Sequence, residues 1–235
     1  MARRIEFFFD CSSPWTYLAF HAIQPLAREV GAEIAWKPIL VGGVFNAVNQ
    51  TVYESRAKPN PRKQAYMLQD LQAWARLYGL RIAFPPAVFP VNSVKCMRGA
   101  FHALDAGKLV PYATAAFEVY FGEDRDIGRD EVLSDVATRA GLDPARLLAA
   151  AGSDDAKQRL RANTDELSDV ATRAGLDAGQ LLAAAGGDDA KKRLRANTDE
   201  LIARGGFGSP TLFVGDAMFF GNDRLPLVRA ALLQA

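Results

Sequence analysis

The sequence predicts an α/β chain: a β–α–β unit at the start, a β–β–α unit at the end, and a large all-helical insertion between them. Three observations carry that reading. A short aromatic run, RIEFFFD at 4–10, is followed by apolar residues at helical spacing and then by a second short apolar run. Two short apolar runs near the end flank Gly215-Asp216, a two-residue hairpin signal. From about 44 to 204 the sequence is helical in character.

In chain order, residues 4–10 are a strand bounded by a polar cluster. Over 14–30, Trp15, Leu18, Ala19, Ala22, Leu26 and Val30 recur at three- and four-residue spacings, which predicts a helix. Ser13 stands at its N-cap, Pro14 at its first position and Gly31 at its C-cap. Pro25 should kink or loosen it. Residues 33–40, EIAWKPIL, read as a second strand reached by a right-handed crossover. Residues 61–79 form a strong helix pattern ending at a glycine, while 80–92 hold three prolines and exclude regular helix. Further helices are predicted over 93–107 and 111–121. TLFVG (211–215) and AMFF (217–220) are strands, and Asn222 is expected to cap a last helix with Asp223 in its first turn. These boundaries divide the chain into a discontinuous sheet domain, 1–43 with 205–235, and an insertion over 44–204.

Within the insertion, residues 134–167 are followed at once by a second copy, 168–201, identical at 29 of 34 positions. Helical solenoids also show a 34-residue period, but they need more copies and diverge while their fold persists. A near-identical pair without their Trp, Tyr and Pro pattern is a tandem duplication. Without one copy, 201 residues remain. The fold has one slot for the segment, so covalent continuity predicts a hybrid. The start of copy one follows Glu131, and the end of copy two runs into Ile202. Roughly residues 152–185 are left over as extra helices. The shared face of Leu160, Leu167, Val170 and Ala174 predicts one continuous helix over 154–174.

Composition narrows the function. The chain has 235 residues, 49% hydrophobic and 23% charged, an ordinary globular balance. A net charge of +1 carries no signature of a nucleic-acid or membrane-surface binder. Cys11 and Cys96 form neither a CxxC nor a metal spacing, and two cysteines make no disulfide framework. Glu6 breaks the N-terminal apolar run, unlike a secretory leader. No stretch approaches the ~18 apolar residues of a membrane span. The expectation is a soluble protein in a reducing, cytoplasmic compartment, without metal. His21 and His102 lie on helices without partner spacing and receive no role.

The β–α–β and β–β–α halves around a helical insertion are the layout of a thioredoxin-like fold. There the first helix starts at the reactive site, and a cis-proline loop before the third strand faces it. Ser209-Pro210 immediately precedes TLFVG, so that bond is expected to be cis. The segments FFFDCSSPWTYLAF, NPRKQAYMLQDLQAWARLYGL, FPVNSVKCMRGAF and GGFGSPTLFVGDAMFFGNDRL resemble those of 2-hydroxychromene-2-carboxylate isomerases. These enzymes are relatives of kappa-class glutathione transferases and DsbA-type thiol oxidoreductases. The resemblance covers nearly the whole chain except the second copy.

In the oxidoreductases the helix starts with Cys-Pro-x-Cys. Here Ser13-Pro14-Trp15-Thr16 carries no thiol, which excludes dithiol–disulfide exchange at this position. A hydroxyl at a helix start suits a thiolate that arrives from elsewhere. The partial positive charge and free N–H groups stabilise an anion, lowering a thiol pKa from ~8.5. Spacing alone reads Ser13 as a helix cap; the resemblance adds catalysis and implies glutathione as the thiol. It also implies that Asn222 and Asp223 hold the γ-glutamyl end and that Ser209 and Pro210 meet the cysteinyl moiety through backbone. Lys63 and Asn60 would meet the glycine carboxylate. Caps and solvated loop are the alternatives for these residues.

Asn92 either faces the substrate or caps 93–107, and Arg98 is a candidate for the substrate carboxylate. Trp15, Phe45, Phe84, Phe89 and Trp74 are pocket walls or simply core. Cys11 reads as a buried, inert thiol. The implied reaction interconverts 2-hydroxychromene-2-carboxylate and trans-o-hydroxybenzylidenepyruvate, a small aromatic 2-oxo/hydroxy acid, in naphthalene-type catabolism by a homodimer. Glutathione transfer or peroxide reduction, or a non-catalytic thioredoxin-fold binding module, are the rival readings.

Overall fold

The computed structural model describes residues 3–152 and 188–234. Strand β1 (Arg4–Phe9) lies inside a four-stranded sheet of order β2–β1–β3–β4. It runs parallel to β2 (Glu33–Pro38) and antiparallel to β3 (Thr211–Val214), which pairs antiparallel with β4 (Ala217–Phe220). Gly215, at φ 57°, takes the left-handed position of the β3–β4 turn, where glycine carries no Cβ penalty. Strand alternation sorts the aromatic run. Ile5, Phe7 and Phe9 enter the main core, whereas Phe8 joins Phe213, Ile39, Val44 and Leu201 in a second core on the other face.

Helix α1 (Pro14–Val30) begins as the sequence predicts. Ser13 is extended (φ −104°, ψ 121°) and its side chain caps Thr16, while Gly31 closes the helix at φ 64°. The helix continues through Pro25, and Gln24 Nε2 donates to the Phe20 carbonyl at 2.9 Å. Its buried face joins sheet to insertion. Phe20 lies 4.9 Å from Trp36 and 5.4 Å from Phe117, and Tyr17 stacks on Phe117 at 5.0 Å. Burial of this kind stabilises by about 1.5–3 kcal/mol per large apolar side chain.

The insertion holds α2 (Val41–Val48), α3 (Thr51–Ala57), α4 (Pro61–Leu77), α5 (Val94–Asp105) and α6 (Leu109–Phe117). A π-helical turn, Glu118–Gly122, extends α6. Between α4 and α5 the proline-rich stretch has no regular structure, and Phe84–Pro85 and Phe89–Pro90 are cis. Helices α7 (Asp130–Arg139) and α8 (Pro144–Gly152) follow, then α9 (Asp188–Ala203) and, after β4, α10 (Leu225–Gln234).

Helices α7 and α8 carry the first repeat copy and α9 the second, and both α8 and α9 pack on α5. The seat of α9 is specific. Leu194 enters the main core and Leu201 the second. Asn197 Nδ2 donates to the Pro38 carbonyl at 2.9 Å, Leu40 N donates to Thr198 Oγ1 at 3.2 Å, and Lys37 meets Glu200 at 2.7 Å. Copy one carries identical counterparts of the four seat residues Leu194, Asn197, Thr198 and Leu201, namely Leu160, Asn163, Thr164 and Leu167. Those contacts therefore do not select a copy.

The flanks do. Beyond copy two, Ile202 packs on the second core, and Arg204 bonds to Glu6, Glu200 and the Gly215 carbonyl while lying 3.7 Å from the Phe213 ring centre. The residues at that offset beyond copy one are Ser168 and Val170. Before copy one, Val132 is buried, whereas Glu166 holds that offset before copy two, and burying an unpaired carboxylate is costly. The expected extra helices and the continuous helix over 154–174 lie outside the described residues.

Candidate functional site

The residues just after β1 build the site. Asp10 is 1% exposed and bonded in every direction. Its Oδ1 accepts from Ser12 N (2.9 Å), and its Oδ2 accepts from Val41 N (2.9 Å) and Ser93 Oγ (3.1 Å). Its own N–H donates to Ser209 Oγ (3.2 Å), and its carbonyl accepts from Ser13 N–H (3.2 Å). One buried acid thus joins the turn before α1, the start of α2, the start of α5 and the proline loop before β3. Burial raises its carboxyl pKa, and the backbone and hydroxyl donors oppose that rise.

Ser13 Oγ accepts from Thr16 N and donates to the Ser209 carbonyl, both at 3.2 Å. Thr16 Oγ1 and Ser209 Oγ share a buried hydrogen bond of 2.8 Å. Ser209–Pro210 is cis, as its place before β3 predicts. Most donors of the turn are committed. Ser12 N and Ser13 N bond to Asp10, Cys11 N to Met97 Sδ, Thr16 N and Tyr17 N to Ser13, and Pro14 has none. Trp15 N–H has no partner among the described residues. An anion arriving here meets that donor and the Ser13 hydroxyl, which would turn from Ser209 to reach it.

The Cys11 thiol, fully buried, is no nucleophile. Burial, with Cys96 beside it, pushes its pKa well above the ordinary thiol range. Trp15 is half-buried against the main core.

The turn at 221–223 is tied to the proline loop, since Gly221 N donates to the Pro210 carbonyl at 3.2 Å. Asn222 does not cap the last helix. It opens a 3₁₀ turn, Asn222–Arg224, with Gly221 at φ 106° in the cap position, and α10 starts at Leu225. The reason is burial: Asn222 is 4% exposed, and its Nδ2 has no hydrogen-bond partner among the described residues. Asp223 is paired with Arg224.

The hydrogen bonds of the other expected residues go elsewhere. Asn60 caps α4, accepting from Arg62 N and Lys63 N, and both Asn60 and Lys63 are exposed. Asn92 Oδ1 accepts from Val94 N at 3.1 Å, an Asx turn one residue before the α5 cap position; that position is held by Ser93, whose hydroxyl turns to Asp10 instead of capping. Arg98 is 4% exposed, and its Nη1 donates to the Ala151 carbonyl at 3.4 Å in the packing of α5 on α8. Burial lowers its pKa to about 10, so it remains charged there at neutral pH.

Sequence reasoning passed over Asp10, Thr16 and Ser93. The one local signal was the Asp-x-Ser spacing of an Asx turn at Asp10.

The chain matches the DSBA-like thioredoxin domain over residues 4–169 and again over 162–233, and it belongs to that family. It is 28% identical over 239 residues to the 2-hydroxychromene-2-carboxylate isomerase of Sphingobium xenophagum, covering 99% of this chain and 100% of that one. The isomerase of Pseudomonas putida is 26% identical over 228 residues, covering 97% and 93%. A shorter match of 87 residues, 35% of each chain, is 31% identical to glutathione S-transferase kappa 1 of Caenorhabditis elegans. The solved structure of a 2-hydroxychromene-2-carboxylate isomerase superposes with a TM-score of 0.68 at 24% identity, over 98% of this chain and 95% of that one, which establishes the shared fold.

Proposed function

We propose that this protein is a glutathione-dependent isomerase of 2-hydroxychromene-2-carboxylate and trans-o-hydroxybenzylidenepyruvate, acting in a reducing cytoplasm as a homodimer. The observation that carries the reading is the thiol-free helix start. Ser13 is held against the cis-proline loop, with its hydroxyl and Trp15 N–H as the donors left for an anion. The isomerase relatives matched along nearly their whole length support the substrate class. The kappa-class relative supports glutathione.

The residues fit that cofactor. The buried Asn222 Nδ2 lacks a partner among the described residues, as a recognition group does before its ligand arrives, and its turn is bonded to Pro210. Asn222 and Asp223 would take the γ-glutamyl end, Ser209 and Pro210 the cysteinyl backbone, and Lys63 and Asn60 the glycine carboxylate. When bound, glutathione supplies a thiolate that adds reversibly to the conjugated system, so that a double bond becomes single and rotates. Ser13 keeps the sulfur deprotonated by donating its hydroxyl hydrogen. Thr16 and Asp10 fix the proline loop to which that hydroxyl is aligned.

An ultraviolet assay of the chromene carboxylate with and without glutathione tests the reading. Turnover that ignores glutathione overturns it. Ser13→Ala should reduce turnover by about 100-fold or more, in the range of a lost transition-state donor. It should cost stability by only about 1 kcal/mol, the worth of a helix cap. Turnover within a few-fold of wild type would remove Ser13 from the mechanism. The kappa-class match also favours a transferase reading, which a panel of electrophiles and peroxides with glutathione would separate from isomerisation.

A further inference from the structure

We infer that Arg56 binds the carboxylate of the aromatic acid substrate, at the outer end of a slot formed by Phe45 on one side and Phe89 on the other. Two segments flank the Ser13 turn: α2 with α3, and the proline-rich stretch ending at Ser93. At one end they are joined through Asp10, which accepts from Val41 N at the start of α2 and from Ser93 Oγ at the start of α5. At the other end they are joined by Arg56. Its guanidinium carbon lies 5.7 Å from the centre of the Phe45 ring and 5.5 Å from that of Phe89. Phe45 is one helical turn beyond Val41 and so on the same side of α2. Phe89 stands four residues before Ser93 and is edge-on to Phe84 at 4.9 Å.

The chemistry of this end is uncommitted. Arg56 is exposed, with aromatic neighbours but no carboxylate partner among the described residues. Glu54 is two residues away on the same helix, a spacing that does not face it. Lys58, Arg62 and Lys63 follow in sequence and are likewise exposed. A guanidinium fork pairs with a carboxylate through two parallel hydrogen bonds, and flanking ring faces receive a planar ring. An aromatic 2-oxo or 2-hydroxy acid carries both groups, a planar ring and a carboxylate. Arg98, the alternative cation, is spent on the Ala151 carbonyl.

This inference rests on the proposed isomerase reading for its ligand, and the test separates the two. The probes are benzylidenepyruvate, which lacks the ring hydroxyl and cannot form a chromene, and its neutral methyl-ketone analogue benzylideneacetone. Binding is followed by tryptophan fluorescence without glutathione, so no adduct forms. Arg56→Met should weaken the carboxylate probe by about 10- to 100-fold, the worth of a hydrogen bond to a charged group. It should change the neutral probe less than two-fold and lower the melting temperature by only a few degrees, for two exposed cation–π contacts. Arg56→Lys should recover part of the loss. Equal weakening of both probes, or none of either, overturns the role of Arg56. Carboxylate selectivity that depends on Arg56, in a protein that fails to turn over the chromene carboxylate, would leave this site standing and refute the isomerase reading instead.

Discussion

The bond between Thr16 Oγ1 and Ser209 Oγ, 2.8 Å and buried, is a tie between helix start and proline loop that can be cut from either side. Thr16→Val keeps the shape and removes one hydroxyl. It forfeits a net bond of about 1 kcal/mol and leaves Ser209 Oγ with one partner fewer, so a cost of about 1–2 kcal/mol is expected. Ser209→Ala removes an oxygen that also accepts from Asp10 N–H, so two buried groups lose their partner, at about 2–4 kcal/mol. Once that oxygen is gone, Thr16 has no bond left to lose. The double variant should therefore cost no more than Ser209→Ala alone, giving a coupling of about 1–2 kcal/mol. Urea unfolding at constant m-value measures all three. Costs that simply add, within about 0.5 kcal/mol, would mean that the hydroxyls are not bonded in solution.

Two further outcomes follow. The Asp10 carboxyl has a folded pKa raised above 3.8 by burial, so its contribution to stability is full below that value and is lost as pH rises through the raised pKa. The stability of wild type relative to Asp10→Asn, from urea midpoints between about pH 3 and 8, should fall with rising pH and then level off; a difference that grows with pH refutes this. Deleting residues 153–186 joins Gly152 to Gly187, keeps α8 and the seat of α9, and leaves 201 residues. That protein should fold with an unchanged Ser13 site and comparable turnover, because shortening a connection costs little loop entropy. Failure to fold would show that the removed residues hold the seat.

What the sequence reveals is the local chemistry. The cap of Ser13, the first-position Pro14, the left-handed Gly31 and the hairpin at Gly215 are decided within a few residues, and each is found in place. The Asp10 hub was not legible, because its partners Val41, Ser93 and Ser209 lie 31, 83 and 199 residues away. Asn222 was misread for the opposite reason. An asparagine before a helix is a natural cap, but the fold buries this one and hands the cap position to Gly221. Arg98 was placed on the right helix, yet only the packing of α8 shows which way its charge is spent.

The divided use of the two repeat copies also decides where the chain is free to change. With the front half of copy one and the back half of copy two seated, the front half of copy two is a second version of a sequence the fold already holds. Three of the five differences between the copies fall there, at Ala178, Gly179 and Gln180. Their seated counterparts are Pro144, Ala145 and Arg146, which open α8 behind Asp143, whose Oδ1 accepts from Ala145 N and Arg146 N. That second version has exchanged a favourable first-position proline for alanine and an alanine for glycine, changes that would weaken the α8 start if made in copy one. A gene carrying this duplication holds each half twice, so a substitution in the second version leaves the seated sequence unchanged. Further drift is expected in the front of copy two and the back of copy one, not spread evenly over the pair.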